Sequence, residues 1–346
     1  MEIKFDKIGS ATRWDRVPGK ASIISERTVT RVGDLIAVRA VSESVVYGNL
    51  ELPSGRLAKI NLGDVLAGVL GKRRALKGFV GDVPAKVQAS DRLHLLNMGG
   101  VVGECVGHHS SLSDAIELEV LGIVCDETGL PMNIGDRALP RSERLEIDVL
   151  VIFVAGSCMN SGKTVAAIEL VKQATRAGLR VAAAKLTGVA CLRDTLNMED
   201  HGAFATASFL DCGLPSTVDV ADLSAVAKGL LNYLAALGPD LIVAELGDGI
   251  VGGYGVDSVL RDPEIRSTAQ AFVFCASDYV GVAGGINILG DMDIAIDVVA
   301  GSVTDSQMGE EFITRNFGLA AGNARRDGKR LFELAMRSIR SEAAFA

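Results

Sequence analysis

The sequence predicts a three-layer α/β/α domain with a mostly parallel sheet over residues 144–346, preceded by a smaller, mostly β domain over residues 1–143. Three features support this division. Short apolar runs alternate with turn residues in the first half, continuous apolar runs alternate with helical segments in the second half, and the rhythm changes near residues 140–148. The length of 346 residues fits two domains of about 150 residues each.

The first half carries short apolar runs with Gly, Asp and Pro between them. Runs spaced about 8–12 residues apart are typical of an all-β sandwich or barrel. The clearest runs cover residues 35–38, 45–47, 65–70, 93–96 and 118–121. These residues do not indicate what chemistry the β domain performs. Residues 138–144 combine proline, serine and charge, and so are suited to a boundary between domains.

The second half alternates predicted strands with predicted helices. Residues 149–154 are a continuous apolar run, as expected of a strand buried on both faces of a parallel sheet. Helical spacing follows over residues 164–177 and 221–237, and a last helix is predicted over 324–344. Further strands are predicted at residues 181–184, 241–244, 271–274 and 294–299. This alternation predicts an α/β layer fold.

Composition and charge exclude several classes of protein. The chain is 48% hydrophobic and 23% charged, as in soluble globular proteins. The longest apolar stretch, residues 271–290, is interrupted by polar residues and by Gly284-Gly285, so it predicts a strand and a helix rather than a membrane span. The first residues lack the apolar core of a secretory signal. We therefore expect no membrane association and a cytoplasmic location.

The cysteines and the charge balance argue against zinc and against nucleic acid. The six cysteines lie 20 or more residues apart with no C-x-x-C pair, so we expect reduced thiols and no structural zinc site. The formal charge is −8, which disfavours general nucleic-acid binding. Lys72-Arg73-Arg74 with Lys77 is a local basic patch. Its simpler interpretation is a solvated turn.

The loop between the strand at 149–154 and the helix at 164–177 carries a phosphate-binding motif, Gly156-Ser157-Cys158-Met159-Asn160-Ser161-Gly162-Lys163-Thr164. Backbone N–H groups in such a loop, together with the N-terminus of the helix, form an anion site. Gly162 allows close approach of the backbone, Lys163 reaches the β- and γ-phosphates, and the Thr164 hydroxyl ligates Mg²⁺. The predicted nucleotide-binding residues are Gly156, Ser157, Asn160, Ser161, Gly162, Lys163 and Thr164.

The spacing of this loop carries a family resemblance. The usual pattern G-x-x-x-x-G-K-[ST] would begin at Ser157, whereas here the glycine lies one residue earlier, at Gly156. This longer form resembles the loop of dethiobiotin synthetase and its relatives, members of the SIMIBI class of P-loop NTPases, together with cobyrinate amidases and MobB proteins. ParA/MinD members carry an extra lysine where this chain has Cys158, which argues against a two-lysine partitioning ATPase.

The resemblance extends over residues 149–300 and implies further site residues. In dethiobiotin synthetase, a lysine at the end of the second strand faces the substrate and the transferred phosphate, which makes Lys185 a candidate catalytic residue. A surface lysine at the strand end is the alternative. The strand at 241–244 should end in an acidic residue near the magnesium, and Glu245 holds that position in a segment similar to Glu-Gly-x-Gly-Gly. Asp248 is the competing choice.

Loops after the second strand supply the remaining candidates, because ligands bind outside the carboxyl ends of parallel strands. Asp194 is predicted to contact the metal or the substrate. His201 is a candidate general base, with a packing role as the alternative. His108-His109 in the β domain is predicted to be a surface turn, and residues 252–255 to form either a flap over the site or a long turn.

The sequence leaves three functions open. The first is an ATP- and Mg²⁺-dependent enzyme, a small-molecule kinase or a ligase resembling dethiobiotin synthetase. The second is a nucleotide-dependent switch or chaperone of the MobB or metallochaperone type, and the third a polynucleotide 5′-kinase. ATP is favoured over GTP because no Asn/Thr-Lys-x-Asp motif is found. The expected partners are a nucleotide, an unidentified small molecule and a second copy of the chain.

Overall fold

The computed structural model describes residues 1–15, 17–44 and 47–343, so Val45 and Val46 of the predicted run 45–47 and Ala344 of the last predicted helix lie outside the described residues. The chain divides into two compact units. The first comprises Met1–Leu139, Val189–Arg193 and Phe209–Val218; the second comprises Pro140–Gly188, Asp194–Ser208 and Asp219–Ala346. The two later segments of the first unit were not indicated by the sequence. The predicted boundary after residue 143 remains a prediction.

The first unit consists mainly of short strands. They are β1 (Glu2–Lys4), β2 (Lys7–Ile8), β3 (Lys20–Ile24), β4 (Thr28–Val29), β5 (Leu35–Ala40), β6 (Asn49–Glu51), β7 (Leu57–Lys59), β8 (Val65–Leu70), β9 (Arg73–Arg74), β10 (Phe79–Asp82), β11 (Lys86–Val87), β12 (Arg92–Asn97), β13 (Val101–His108) and β14 (Glu117–Cys125). Two turns of 3₁₀ helix accompany them, at Ser10–Asp15 and Ile134–Arg137.

Five of these strands close into a barrel. β14 pairs with β5, β5 with β8, β8 with β13, β13 with β12, and β12 returns to β14. All these pairings are antiparallel except that of β8 with β13. A closed ring leaves no exposed edge within it. Its core is an apolar cluster that includes Ile36, Val38, Leu66, Leu95, Val102, Leu118 and Val120. The barrel is one of the two arrangements expected from the sequence.

The basic segment of the first unit is not the solvated turn expected from its charge. Arg73 and Arg74 form β9, and Arg73 is buried. Its guanidinium donates to the Leu96 carbonyl and lies 5.1 Å from the ring centroid of Tyr47 and 6.0 Å from that of Phe79. A guanidinium can stack on aromatic faces in this way because its charge is delocalised over a planar group.

The second unit alternates strands and helices. The strands are β15 (Leu150–Gly156), β16 (Val181–Thr187), β17 (Ala205–Ser208), β18 (Leu241–Leu246), β19 (Ala271–Cys275), β20 (Val298–Ala300) and β21 (Ala320–Ala321). The helices are α1 (Lys163–Arg176), α2 (Arg193–Asp200), α3 (Leu223–Ala235), α4 (Val256–Arg261), α5 (Pro263–Ser267), α6 (Tyr279–Gly290), α7 (Gln307–Phe317) and α8 (Ala324–Ala343). A 3₁₀ turn covers Ser302–Thr304. No described helix combines the length and apolar character that a membrane span requires.

The strands of the second unit form one parallel sheet in the order β17-β16-β18-β15-β19-β20-β21. Helices cover both of its faces. Ile152 and Val154 of β15 share an apolar cluster with Leu170 of α1 and Leu331 of α8. On the other face α3 packs against β16, β17 and β18, and α6 approaches the ring of Phe274. The predicted α/β fold with a mostly parallel sheet is confirmed.

Two predicted elements differ from those observed. The strand expected at 294–299 is observed only at Val298–Ala300. The carboxylate of Asp297, directly before it, accepts from the Phe272 amide at 2.7 Å. The last helix contains a break at Asp327, where φ is −150° and ψ is 71°. Asp327 accepts a hydrogen bond from the Arg330 amide at 3.0 Å, and so acts as the N-cap of the turns that follow. β17 and α2 were not predicted.

Candidate functional site

The candidate site lies in the second unit, where β15, β16 and β18 end. Parallel strands direct their carboxyl ends to one edge of the sheet, which is where α/β proteins bind ligands. The loop after β15 leads into α1, and β18 ends with Glu245 and Leu246. Lys185 is paired in register with Glu245 across β16 and β18. The sequence-predicted residues Lys163, Lys185 and Glu245 are therefore supplied by three neighbouring segments of the same edge.

The loop from residue 156 to 162 has a shape that requires glycine at both ends. A Cβ at Gly156 would lie 2.4 Å from Ser161 Oγ and 2.6 Å from the Cys275 carbonyl oxygen. Gly162 has φ +103°, and a Cβ there would lie 2.9 Å from Gly301 Cα. Asn160 also adopts a positive φ of 64°. The two glycines allow the backbone to turn tightly enough to direct its amides into a small space.

The loop ends at the N-terminus of α1, which is open to an anion. Gly162 is the N-cap residue and makes no side-chain cap, and the first turn contains no acidic residue. The first N–H groups of a helix have no partners within the helix, and its dipole places a partial positive charge at this end. These amides and the loop have the arrangement that an anion site requires, and the phosphate site expected from the sequence stays a prediction.

Lys163 places a basic side chain over the same loop. It is 6% exposed, and its Nζ donates to the Cys158 carbonyl at 2.7 Å and to Ser161 Oγ at 3.4 Å. Burial lowers the pKa of Lys163, while the negative charge of Glu245 opposes this shift. The ammonium is thus held over the loop by weak neutral acceptors, and a phosphate oxygen would be a stronger partner for it.

Lys185 joins the two predicted carboxylates. Its Nζ lies 2.5 Å from Glu245 Oε1 and 2.8 Å from Asp194 Oδ2. Burial alone would lower the pKa of Lys185, but the charges of Asp194 and Glu245 outweigh burial and raise it. Lys185, whose side chain is 13% exposed, is therefore a largely buried ion-pair partner rather than a surface lysine. Asp194 lies in the first turn of α2, and not in a loop as the sequence suggested.

Glu245 also contacts the loop residue predicted to hold magnesium. Thr164 Oγ1 donates to Glu245 Oε1 at 2.9 Å. Glu245 is fully buried, and among the described residues its second oxygen, Oε2, has no hydrogen-bond partner. Within the same described residues, no three His, Cys, Asp or Glu side chains converge as a metal cluster. This donor set fits Mg²⁺, which is usually held by one or two carboxylates together with substrate phosphates.

Other predicted candidates lie elsewhere or play another part. His201 follows α2 with its Nδ1 2.7 Å from the Asn197 carbonyl oxygen, and it lines a surface groove with Glu169 and Lys172 of α1. His108 ends β13 and lies 3.3 Å from Asp114. In the segment 252–255, Tyr254 is buried, so this residue is not part of an exposed flap.

Two supporting residues were missed from the sequence. Cys275, at the end of β19, accepts a hydrogen bond from the Ser157 amide at 2.9 Å. Gly301, after β20, has φ +89°, and a Cβ there would lie 2.1 Å from the Ser161 carbonyl oxygen. These contacts support the loop before α1 from the ends of two neighbouring strands. The position of Gly301, two residues beyond the strand predicted at 294–299, was the available signal.

Comparison with known proteins gives fold likeness alone. No protein-family model matches the chain, and no curated protein matches it. Among solved structures, the chain is similar to the cell division protein FtsY of Thermotoga maritima, with 17% identity, a TM-score of 0.38, and 58% of this chain and 72% of that chain covered. It is also similar to the signal recognition particle 54 kDa protein of Aeropyrum pernix in complex with GDP, with 16% identity, a TM-score of 0.37, and coverage of 58% and 52%.

At these identities and TM-scores the likeness carries no inference about activity, and the resemblance to dethiobiotin synthetase stays a prediction. The description of the fold and of the loop rests on the structure of this chain alone. Its second unit is a mixed α/β layer with a parallel sheet and a glycine-bounded loop before α1, the architecture of a P-loop NTPase domain.

Proposed function

We propose that the second unit binds a nucleoside triphosphate with Mg²⁺ and transfers the terminal phosphoryl group to a small-molecule acceptor. The observation that carries this proposal is the combination of a buried ammonium over the loop and an unpartnered carboxylate oxygen beside it. Lys163 lies over the loop, while Glu245 Oε2 lacks a hydrogen-bond partner in the described residues. A buried polar atom without a partner is costly, so it points to a ligand that completes the site.

The loop and α1 supply the triphosphate site. Backbone amides from Asn160 to Thr164 would donate to phosphate oxygens, and Lys163 would neutralise their charge. Thr164 and Glu245 would hold Mg²⁺, with Asp194 as a further candidate. The metal, when bound, supplies charge neutralisation on the phosphates. Lys185 would fix the positions of Glu245 and Asp194 through its ion pairs with both, at the edge where the transferred group would lie.

We further propose ATP as the nucleotide, because the chain lacks the Asn/Thr-Lys-x-Asp motif. More specifically, we propose that the chain is a kinase or an ATP-dependent ligase that acts as a homodimer in the cytoplasm. Nucleic acid is not the expected acceptor, since the formal charge of −8 disfavours polyanion binding.

Calorimetric titration of the full chain with Mg·ATP and Mg·GTP tests nucleotide binding. Lys163→Ala should weaken binding about 10–100-fold, the effect of losing a charged hydrogen bond. Lys172→Ala is the matched control, because Lys172 lies on the same helix and pairs with Glu169 on its surface. Unchanged affinity in Lys163→Ala would place the nucleotide elsewhere and contradict the proposal.

A second assay separates transfer from switching. The chain is incubated with ATP labelled in its γ-phosphate and with fractionated metabolite pools, and labelled products are resolved. Transfer to a metabolite supports an enzyme of the kinase or ligase type. Slow phosphate release that no metabolite changes would instead support the nucleotide-dependent switch.

A further inference from the structure

Asp248 occupies a strained position in the loop after β18. Its φ is +68°, which is uncommon for a residue other than glycine and costs backbone energy. The next two residues, Gly249 and Ile250, contact the phosphate-binding loop directly. A Cβ at Gly249 would lie 2.6 Å from the Ser157 carbonyl oxygen, and the Ile250 amide donates to the Gly156 carbonyl at 2.9 Å. The chain therefore holds Asp248 beside the loop and has little freedom to move it.

The carboxylate of Asp248 is not used by the ion pairs of the site. Glu245 and Asp194 both pair with Lys185, whereas Asp248 forms no salt bridge among the described residues and hydrogen-bonds the Gly249 backbone. It is half-buried. Burial raises the pKa of Asp248, and the charge of Lys163 partly opposes this effect. A half-buried carboxylate that lies outside the ion pairs of the site, within reach of the charge of Lys163, is suited to accept a proton.

Resting on the proposed function, we propose that Asp248 is the general base of the transfer and that the acceptor is a hydroxyl group rather than a carboxylate. In this step, a lone pair on the acceptor oxygen forms a bond to the γ-phosphorus. The bond between that phosphorus and the β,γ-bridging oxygen breaks, and its electron pair leaves on the nucleoside diphosphate. The hydroxyl proton moves to a carboxylate oxygen of Asp248. The products are a phosphate monoester, the diphosphate and one proton, which Asp248 later releases to water.

The charges of the site favour a neutral acceptor. A carboxylate is already a nucleophile at neutral pH and gains nothing from a base. It would also meet the negative charges of Asp248, Asp194 and Glu245, while the ammonium of Lys185 is already engaged by two carboxylates. A hydroxyl group carries no charge and needs a base when it attacks. The arrangement thus selects an alcohol over an acid.

Asp248→Asn is the first test. Asparagine tolerates a positive φ and has the same shape, so this variant removes the base while keeping the backbone. Phosphate transfer and phosphate release from Mg·ATP should fall about 100-fold or more, as for loss of a general base, while the Mg·ATP affinity stays within threefold. Asp293→Asn is the matched control, because Asp293 is an exposed aspartate with φ +56°. It should leave both quantities unchanged.

A pH profile distinguishes a base from a residue that only shapes the loop. The wild-type rate should rise with pH as Asp248 loses its proton, and this rise should disappear in Asp248→Asn. Lys163 is the charged group that acts on Asp248. The Mg·ATP affinity of the wild type is therefore measured over the same pH range, to confirm that a change in nucleotide binding does not cause the rise. An unchanged rate or an unchanged profile in Asp248→Asn would overturn the assignment.

Acceptor chemistry is tested with two sets of probes. Glycerol, serine and homoserine represent alcohols, and acetate, succinate and adipate represent acids, the latter with hydroxylamine present to trap an acyl phosphate as a hydroxamate. Stable phosphate esters of the alcohols support a base-activated hydroxyl acceptor. Release to water alone, unchanged by any alcohol, would overturn it and support the switch. Hydroxamate formation would also overturn the hydroxyl acceptor. A chain that binds Mg·ATP but neither releases nor transfers phosphate refutes the transfer function itself, and a chain that binds no nucleotide refutes the whole proposed site.

Discussion

Lys185→Met removes the cation from a buried cluster of charges. Glu245 is fully buried, and in this variant its Oε1 would keep only the Thr164 hydroxyl, at 2.9 Å, of the two contacts described for it. Breaking a buried ion pair from one side costs about 3–5 kcal/mol, because the remaining charge is left uncompensated. That cost is a large share of the ~5–15 kcal/mol by which domains are usually stable. We expect the second unit to lose about 3–5 kcal/mol of unfolding free energy.

Hydrogen exchange measured by mass spectrometry on peptides from β15 and β18 reports this loss, since core strands exchange through opening of the whole unit. Lys172→Met is the control. Its partner Glu169 lies 2.9 Å away on the surface of α1, and such pairs contribute about 0–1 kcal/mol. The double variant Lys185→Met/Glu245→Gln should recover part of the loss. A loss below about 1 kcal/mol in Lys185→Met would refute the description of a buried, mutually dependent cluster.

Three further predictions follow from the two units. Gly156→Ala should abolish nucleotide binding in calorimetry because its Cβ has no space, whereas Gly284→Ala, with nothing within 4 Å, should bind normally; equal affinities would contradict the loop geometry. Above pH 10.5, the ordinary lysine pKa, Lys185 loses its proton in the unfolded chain but keeps it in the folded chain, where its pKa is raised. The free energy of unfolding of the wild type, measured by urea titration, should therefore fall more steeply with rising pH than that of Lys185→Met. Glu51→Ala should lower the unfolding free energy of the first unit by about 1–3 kcal/mol and speed hydrogen exchange in Val189–Arg193, because the buried carboxylate accepts from the Leu192 amide at 2.7 Å. Unchanged hydrogen exchange in this segment would refute the role of Glu51.

The parts of the molecule that the sequence predicted are those fixed by local pattern. The helix predicted at 164–177 is observed at Lys163–Arg176, and the strand at 241–244 extends to Leu246. The loop before α1 was recognisable because its glycines, lysine and threonine are adjacent in sequence. Their arrangement depends on the backbone geometry of nine consecutive residues, so the sequence motif is enough to predict the conformation of the loop.

Features that depend on distant residues were not predictable in the same way. Lys185 was expected to face a phosphate, but its pairing with Asp194 and Glu245 arises only when three segments meet at one sheet edge. The sequence could not choose between a barrel and a sandwich, because strand spacing is similar in both and only the pairing of β12 with β13 and β14 closes the ring. Asp248 was expected only as the competing choice to Glu245 for the metal, because its positive φ and partial burial depend on the folded loop and not on the neighbouring sequence.

The central claim is that the loop before α1 binds the triphosphate. A crystal structure of the chain with Mg²⁺ and a non-hydrolysable ATP analogue tests this claim most directly. We predict phosphate oxygens within hydrogen-bond distance of the backbone amides from Ser161 to Thr164 and of Lys163 Nζ, with the metal beside Thr164 and Glu245. A nucleotide bound elsewhere, or a loop that stays closed by Lys163 on the Cys158 carbonyl at saturating analogue, would contradict it.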